Sequence, residues 1–262
     1  MSRTGVAGWL LAGLILAALA APWLAPYAPD ALDLANRRAV PSAAHWFGTD
    51  DLGRDLFSRV LFGARVSLAV GLLSALVAGV IGIGVGAMSG FFGGLADAAL
   101  MRLTDAVLSV PRLLLLMVAS AVLDPSIPLL IVLVGFVGWM ETARVTRAAF
   151  LSSRDREFVL AAHASGASAL RIVGVHLLPV AAPAIAVSAT LAVGRGILLE
   201  SALSFFGIGV QPPAASWGNM LYQAQATMNT EPWLALFPGA FIFLTAASIN
   251  AVGDRLAEQR IR

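Results

Sequence analysis

The apolar segments of this chain are interrupted between residues 154 and 179 by the sequence RDREFVLAAHASGASALRIVGVHLLP. Its pattern predicts two short helices, over residues 158–164 and 170–178. One face of the second helix carries three apolar side chains at helical spacing: Leu170, Val173 and Leu177. Two short helices joined by a polar turn, set among strongly apolar stretches, indicate a compact helix-turn-helix outside a lipid bilayer.

The residues around the turn have the chemistry that helix ends require. Gly166 lies where a helix C-terminus favours a residue that can adopt positive φ, and Ser168 can cap the next helix. Pro179 predicts a break before the apolar run that follows.

The composition places the whole chain in a membrane. Of its 262 residues, 59% are hydrophobic and 12% are charged, and the mean hydropathy is +0.85. A soluble core cannot hide that much apolar surface, and each membrane span needs about 20 predominantly apolar residues. Strand-length alternation is absent, so we expect an all-α polytopic membrane protein. Six segments qualify as spans: residues 6–24, 66–88, 98–123, 127–148, 180–203 and 233–252.

These segments divide the chain into four parts. Residues 1–24 form the first transmembrane helix, residues 25–65 an external loop, residues 66–252 a five-helix core and residues 253–262 a cytoplasmic tail. A cleaved signal peptide is the alternative for the first segment, because Ala18, Ala20 and neighbouring small residues imitate a cleavage site. The sequence has no cysteine, which excludes disulfides and thiolate metal sites.

A second polar cluster, HWFGTDDLGRDLFSR, occupies residues 45–59. A metal site is one interpretation, but the spacing of the possible ligands fits neither an EF-hand loop nor a paired-histidine helix. Those ligands would be His45, Asp50, Asp51 and Asp55. The pattern favours a turn at Gly53 that leads into an amphipathic helix on the membrane surface. Its lipid face would carry Leu56, Phe57, Val60 and Leu61, and its water face Arg54, Asp55 and Arg59.

Several residues within the predicted spans have a structural or functional consequence. Gly82 and Gly86 form a small-xxx-small pair that allows a neighbouring helix to approach closely. Pro111 can kink the third segment. Four charged residues are candidates for a solute pathway: Arg112, Glu141, Arg195 and Glu200. The alternative is a structural ion pair of Arg195 and Glu200 with each other or with Arg112.

The distribution of arginine predicts the orientation of the chain. Five arginines lie between the fourth and fifth segments: Arg144, Arg147, Arg154, Arg156 and Arg171. By the positive-inside tendency, the 154–179 hairpin and both termini are cytoplasmic, and the 204–232 loop, which has no arginine, is external. Five arginines in the first external loop oppose this assignment: Arg37, Arg38, Arg54, Arg59 and Arg65. Since arginines flank the spans, orientation explains the basic pI of 9.9 without a nucleic-acid partner.

The hairpin resembles the cytoplasmic loop of ABC importer permeases, whose consensus contains Glu-Ala-Ala, Gly, Ile and Leu-Pro. With unchanged spacing, those places are held by Leu160, Ala161, Ala162, Gly166, His176, Leu178 and Pro179. Leu160 replaces the glutamate and His176 replaces the isoleucine. Three further strings, within residues 45–59, 203–221 and 250–255, are similar to the C-type permease subunit of dipeptide, oligopeptide and nickel importers.

This resemblance implies a type I permease fold with six transmembrane helices and a hairpin that couples to an ATPase. It implies a bacterial inner-membrane subunit that forms half of a translocation pathway for short peptides or peptide-like solutes, or alternatively for nickel. The implied partners are a second, homologous permease, two cytoplasmic ATPases and an external solute-binding protein. ATP and Mg would be bound by the ATPases, because this sequence has no phosphate-binding loop and no catalytic motif. A secondary transporter driven by an ion gradient, with Arg195, Glu200 and Glu141 as coupling charges, is the alternative from another class.

Overall fold

The computed structural model describes residues 3–123 and 126–258. Within these ranges the regular structure is helical, with an isolated β-bridge between Thr49 and Asp55. In chain order, the helices are α1 (Arg3–Leu19), α2 (Ala21–Leu24), α3 (Leu56–Phe92), α4 (Gly94–Leu108), α5 (Arg112–Val122), α6 (Ile127–Leu151), α7 (Glu157–Ala164), α8 (Ala169–Arg171), α9 (Leu178–Phe205), α10 (Trp217–Ala224) and α11 (Trp233–Glu258). A π-helical turn, Ile172–Leu177, joins α8 to α9. The predicted all-α fold is confirmed.

Four of the described helices are long and apolar enough to cross a membrane: α3, α6, the continuous helix Ala169–Phe205, and α11. α4 and α5 pass the same test only as a pair, and they are bent by 79° at the break between them. α1 has 17 residues, about 25 Å of helix, which is shorter than a typical hydrocarbon core. The described residues therefore contain four spans, or five with the bent pair, and the predicted count of six is not established.

α3 and α6 form the centre of the bundle because glycines on α3 let the two backbones approach. A Cβ atom placed on Gly82 would lie 2.6 Å from the carbonyl oxygen of Trp139. One turn further, a Cβ atom on Gly86 would collide with the carbonyl oxygen of Ala143. The predicted small-xxx-small pair therefore does pack a neighbouring helix closely.

The loop before α3 contradicts the predicted amphipathic surface helix. Gly53 does make the expected turn, with φ +76°. However, α3 begins at Leu56 and continues into the membrane span without a break. The residues predicted to face water and most of those predicted to face lipid are buried: Arg54, Asp55, Arg59, Leu56, Val60 and Leu61.

Acidic partners explain why the charges in this loop are buried. The Arg54 Nε atom lies 2.6 Å from Asp50 Oδ2, and Asp55 accepts the backbone N–H of Ser58 at 2.8 Å to cap α3. The sequence pattern shows the alternation of charge and apolar residue, but it does not show that the acids are close enough to neutralise the arginines inside the protein.

The segment after α9 contains a helix that the sequence analysis did not predict. α10 begins with a capping box in which the Ser216 hydroxyl accepts the N–H of Asn219 and the Asn219 side chain accepts the N–H of Ser216. The Trp217 side chain is fully buried and donates its ring N–H to the carbonyl of Val60 at 3.1 Å. α10 is thereby fixed to the first turns of α3.

Candidate functional site

The predicted helix-turn-helix is present as α7, a tight turn, and the helix that starts at α8. Gly166 adopts φ +75°, which favours glycine, and the Ser168 hydroxyl accepts the backbone N–H of Arg171 at 3.4 Å. The N–H of Ala167 donates to the carbonyl of Ala162 at 3.1 Å, so an otherwise unpaired carbonyl at the end of α7 is satisfied. The roles predicted for the turn residues are confirmed.

The break predicted at Pro179 is wrong, because one continuous helix runs from Ala169 to Phe205. The chain widens into the π turn instead, where the N–H of Leu178 donates to the carbonyl of Val173, five residues earlier. Pro179 follows directly after this π turn, so the residue that has no backbone N–H lies where the regular hydrogen-bond pattern of the continuous helix is already altered. The second arm of the hairpin and the following span are therefore one helix.

The base of the hairpin is anchored in the bundle. Val159 of α7 and Ile172 of the π turn are fully buried, and both belong to a cluster with Phe150 of α6 and Ile185 of α9. The spacing-based prediction is only partly right for the second arm: Leu177 is buried, but Leu170 is 87% exposed. The π turn changes which side chains share a face, so that Ile172 and Leu177, five residues apart, point inward together.

The outer surface of the hairpin is apolar and exposed. Of the predicted coupling residues, Leu160, Ala161, Gly166 and Pro179 are exposed, whereas Ala162, His176 and Leu178 are half-buried. The ring of His176 lies 6.5 Å from that of Phe158, between centroids. The sequence analysis did not assign Leu170 and Val175 to this surface, and only their large apolar side chains in a polar segment could have indicated it.

Three of the four predicted pathway residues meet in one cluster within the spans. Arg112, the first residue of α5, places Nη2 2.7 Å from Oε1 of Glu141 on α6. Arg195 of α9 places Nη2 2.7 Å from the other oxygen, Oε2. All three side chains are partly exposed, at 25% for Arg112 and 35% for Glu141 and Arg195. We call this cluster the Arg–Glu–Arg triad.

Glu200 is not part of the triad. The alternative interpretation, an ion pair of Glu200 with Arg195 or with Arg112, is not found in the described residues, where both arginines pair with Glu141. At 3.6 residues per turn, five positions along a helix rotate the side chain by about 140°, so Arg195 and Glu200 face different neighbours. Glu200 has no exposed surface and accepts hydrogen bonds from the hydroxyls of Ser67, at 2.9 Å, and Ser204, at 2.7 Å.

The cluster at residues 45–59 does not assemble the ligands that a metal would need. His45 Nδ1 lies 2.9 Å from Asp55 Oδ1, and Asp50 binds Arg54 instead. Within residues 3–123 and 126–258, no group of three or more His, Cys, Asp or Glu side chains could hold a metal ion. These side chains therefore act as a structural network that holds the loop against α3.

A bundle of apolar helices with charged side chains inside its spans and an exposed helical hairpin is typical of a multi-pass membrane transport protein. Comparison of the chain with protein families gives the particular class. The chain belongs to the binding-protein-dependent transport system inner membrane components, whose model matches residues 82–262. The model for the N-terminal transmembrane domain of oligopeptide transport permease C matches residues 5–41.

Three relatives illustrate the similarity. The probable D,D-dipeptide transport system permease protein DdpC of Escherichia coli is 41% identical, over 94% of this chain and 82% of the relative. The oligopeptide transport system permease protein OppC of Bacillus subtilis is 38% identical, over 94% of this chain and 80% of the relative. The dipeptide transport system permease protein DppC of the same species is 38% identical, over 98% of this chain and 81% of the relative. The chain is thus a permease subunit of an ABC importer, a multi-pass inner-membrane protein, and its resemblance to the C-type subunits is confirmed.

Proposed function

We propose that this chain imports short peptides or peptide-like solutes as one of two homologous permease subunits. An external solute-binding protein would deliver the solute, and two cytoplasmic ATPases would bind ATP and Mg and supply the energy. The names of the relatives support peptides over nickel, because those described above carry peptide names. In this assembly the chain has no catalytic role of its own.

The orientation that we propose places the hairpin and both termini in the cytoplasm. Arg144, Arg147, Arg154, Arg156 and Arg171 lie in or beside the hairpin, whereas the segment from residue 206 to residue 232 has no arginine. The structure weakens the objection from the first external loop, since Arg54 and Arg59 are buried beside Asp50 rather than free at the membrane surface.

The observation that carries the proposed coupling role is the contrast between the two sides of the hairpin. Its inner side chains, Val159, Ile172 and Leu177, are buried, while its outer surface exposes Leu160 and Leu170. Large apolar side chains exposed on one hairpin outside the spans are typical of a surface that another protein covers. We place the ATPase there. ATP-driven closure of the two ATPases would move the hairpin and tilt the helix that follows it, which opens the pathway alternately to the two sides.

The triad supports the position of the pathway. A charge exposed to lipid near the middle of a span costs about 2.5–3.5 kcal/mol, so the partly exposed triad should face a water-filled pathway or a partner subunit. Arg112, Glu141 and Arg195 would then line this chain's half of the route.

Substitution of the turn glycine tests this function. Gly166→Trp should leave membrane insertion intact, because a Cβ atom placed on this glycine would meet no other part of the protein within 4 Å. The new residue would be strained at φ +75°, and its side chain would obstruct docking. We expect loss of solute-stimulated ATP hydrolysis in the assembled complex. Gly94→Trp is the matched control, since this position is equally open and also has positive φ, at +54°, but lies at the start of α4 outside the hairpin, so stimulation should be retained. Normal stimulation in Gly166→Trp would contradict the coupling role.

A further inference from the structure

The Arg–Glu–Arg triad has one positive charge more than it neutralises. Arg112 and Arg195 share the single carboxylate of Glu141, and the described residues place no second acidic group within salt-bridge distance of either arginine. Two positive charges and one negative charge leave a net charge of one. Because the three side chains are only partly exposed, this excess charge is screened less than it would be in bulk water, and it attracts an anion.

The arginines also retain hydrogen-bond donors. Each guanidinium has five N–H groups, and the hydrogen bond that satisfies the distance and angle criteria within the triad is donated by Arg112 Nη2 to Glu141 at 2.7 Å. In addition, α5 begins at Arg112 without a side chain that caps its first N–H groups. The positive end of this helix therefore adds to the field of the two guanidiniums.

A cavity of about 560 Å³ lies directly beside the triad. Glu141 and Arg195 form its charged side. Its remaining wall is mostly aliphatic: Val145, Ala184, Val187 and Leu191. A site of this volume, with an apolar wall and a few polar groups at one side, is typical of pockets for small organic ligands.

The geometry points to a carboxylate-binding site in the translocation pathway. The carboxylate of the solute would pair with Arg195, while its apolar side chains lie against the aliphatic wall of the same cavity. Arg112 does not line this cavity and would hold the other oxygen of Glu141. Glu141 competes for the Arg195 guanidinium, so the solute is held weakly enough to leave again. This assignment rests on the proposed function, because it requires that a peptide-like solute passes the triad, and it adds that a free carboxylate is the group recognised there.

The test uses the complete importer in proteoliposomes, with its own binding protein and ATP. The probes are a mixture of dipeptides and tripeptides with free carboxylates, together with the C-terminal amides of the same peptides, and uptake is read by mass spectrometry. Each variant is compared with the wild type for each solute, so that selectivity of the unchanged binding protein cancels. We expect Arg195→Gln to reduce uptake of free-carboxylate peptides about tenfold, and uptake of the amides less than about threefold.

Two further variants separate recognition from folding. Arg195→Lys retains the charge and should restore most of the carboxylate uptake, whereas Arg144→Gln removes an arginine that pairs with Asp105 outside the triad and should leave the ratio of acids to amides unchanged. If Arg195→Gln reduces uptake of the free-carboxylate peptides and of their amides equally, the carboxylate site is wrong, but the proposed peptide import is not affected. If the wild type takes up no peptide although its ATPase is active, the proposed peptide function fails as well.

Discussion

The hydroxyl of Ser67 on α3 donates a hydrogen bond of 2.9 Å to the carboxylate of Glu200 on α9. The same hydroxyl oxygen accepts the backbone N–H of Trp217 at 3.3 Å, which is the first residue of α10. Three helices therefore meet at a carboxylate that has no contact with solvent. Glu200 contributes to the structure of the bundle, in contrast to the partly exposed Glu141.

Glu200→Gln should be tolerated, because the amide keeps one acceptor oxygen and Ser67 and Ser204 can rotate their hydroxyls to suit the new donor. Glu200→Ala removes both acceptors and leaves a cavity, which should cost about 2–4 kcal/mol. The measurement is the thermal midpoint of the detergent-solubilised complex, together with uptake per complex. Loss of uptake in Glu200→Gln at unchanged midpoint would instead place this carboxylate in the pathway.

Gly82→Ala should destabilise the complex by about 1–3 kcal/mol, because the added methyl group would lie 2.6 Å from the Trp139 carbonyl and force α3 away from α6. Gly79→Ala, on the same helix but with nothing within 4 Å, is the matched control and should not destabilise it. Thermal unfolding of the two variants gives the comparison. Equal midpoints would mean that the contact between α3 and α6 can relax.

Leu170→Asp and Leu177→Asp should fail in different ways. Leu170 is exposed, so its replacement should leave the amount of complexed permeases unchanged but reduce co-purification of the ATPases about tenfold or more. Leu177 is buried in the anchoring cluster, so a charge there should reduce the amount of folded protein itself. Affinity purification through a tag on this chain, followed by quantification of each subunit, measures both effects. Normal ATPase recovery with Leu170→Asp would remove this residue from the docking surface.

Arg54→Met should lower the free energy of unfolding by about 3–5 kcal/mol. It removes the guanidinium whose Nε atom lies 2.6 Å from Asp50 Oδ2 and leaves a buried carboxylate without this partner. Arg102→Met, at an exposed position of α4, serves as the control and should change stability little. The measurement is the thermal midpoint of the Arg54→Met complex compared with that of the Arg102→Met complex. A stable Arg54→Met complex would show that Arg59, 3.5 Å from Asp50, can replace the missing charge.

The sequence predicts those features that depend on neighbours along the chain. Gly166 and Ser168 could be assigned because a turn and a cap are local, and Gly82 and Gly86 because their spacing alone defines one face of a helix. The resemblance of the hairpin also led to the correct family, since four short strings with fixed spacing are specific. Four of the six predicted segments lie in helices long and apolar enough to cross a membrane. The kink predicted at Pro111 is present as the 79° bend between α4 and α5.

Features that depend on distant partners were not predictable in this way. Arg54 and Arg59 were predicted to face water, because no sequence pattern shows that Asp50 lies beside them in the folded loop. The pairing of Glu141 with both Arg112 and Arg195 joins three helices, so neither arginine could be assigned its partner from spacing. The π turn likewise could not be predicted. Its hydrogen bonds span five residues instead of four, so Leu170, which precedes the π turn, and Leu177, its last residue, no longer lie on the face that regular helical spacing predicts.

The unbroken helix Ala169–Phe205 has a mechanical consequence for the triad. Arg195 lies 26 residues beyond Ala169 on the same helix, a distance of about 39 Å. If this rod pivots near one end, a rotation of only about 5° displaces the other end by roughly 3 Å, which exceeds the length of the Arg195–Glu141 contact. With the coupling role proposed above, a small angular movement at the hairpin would be sufficient to break and re-form that contact.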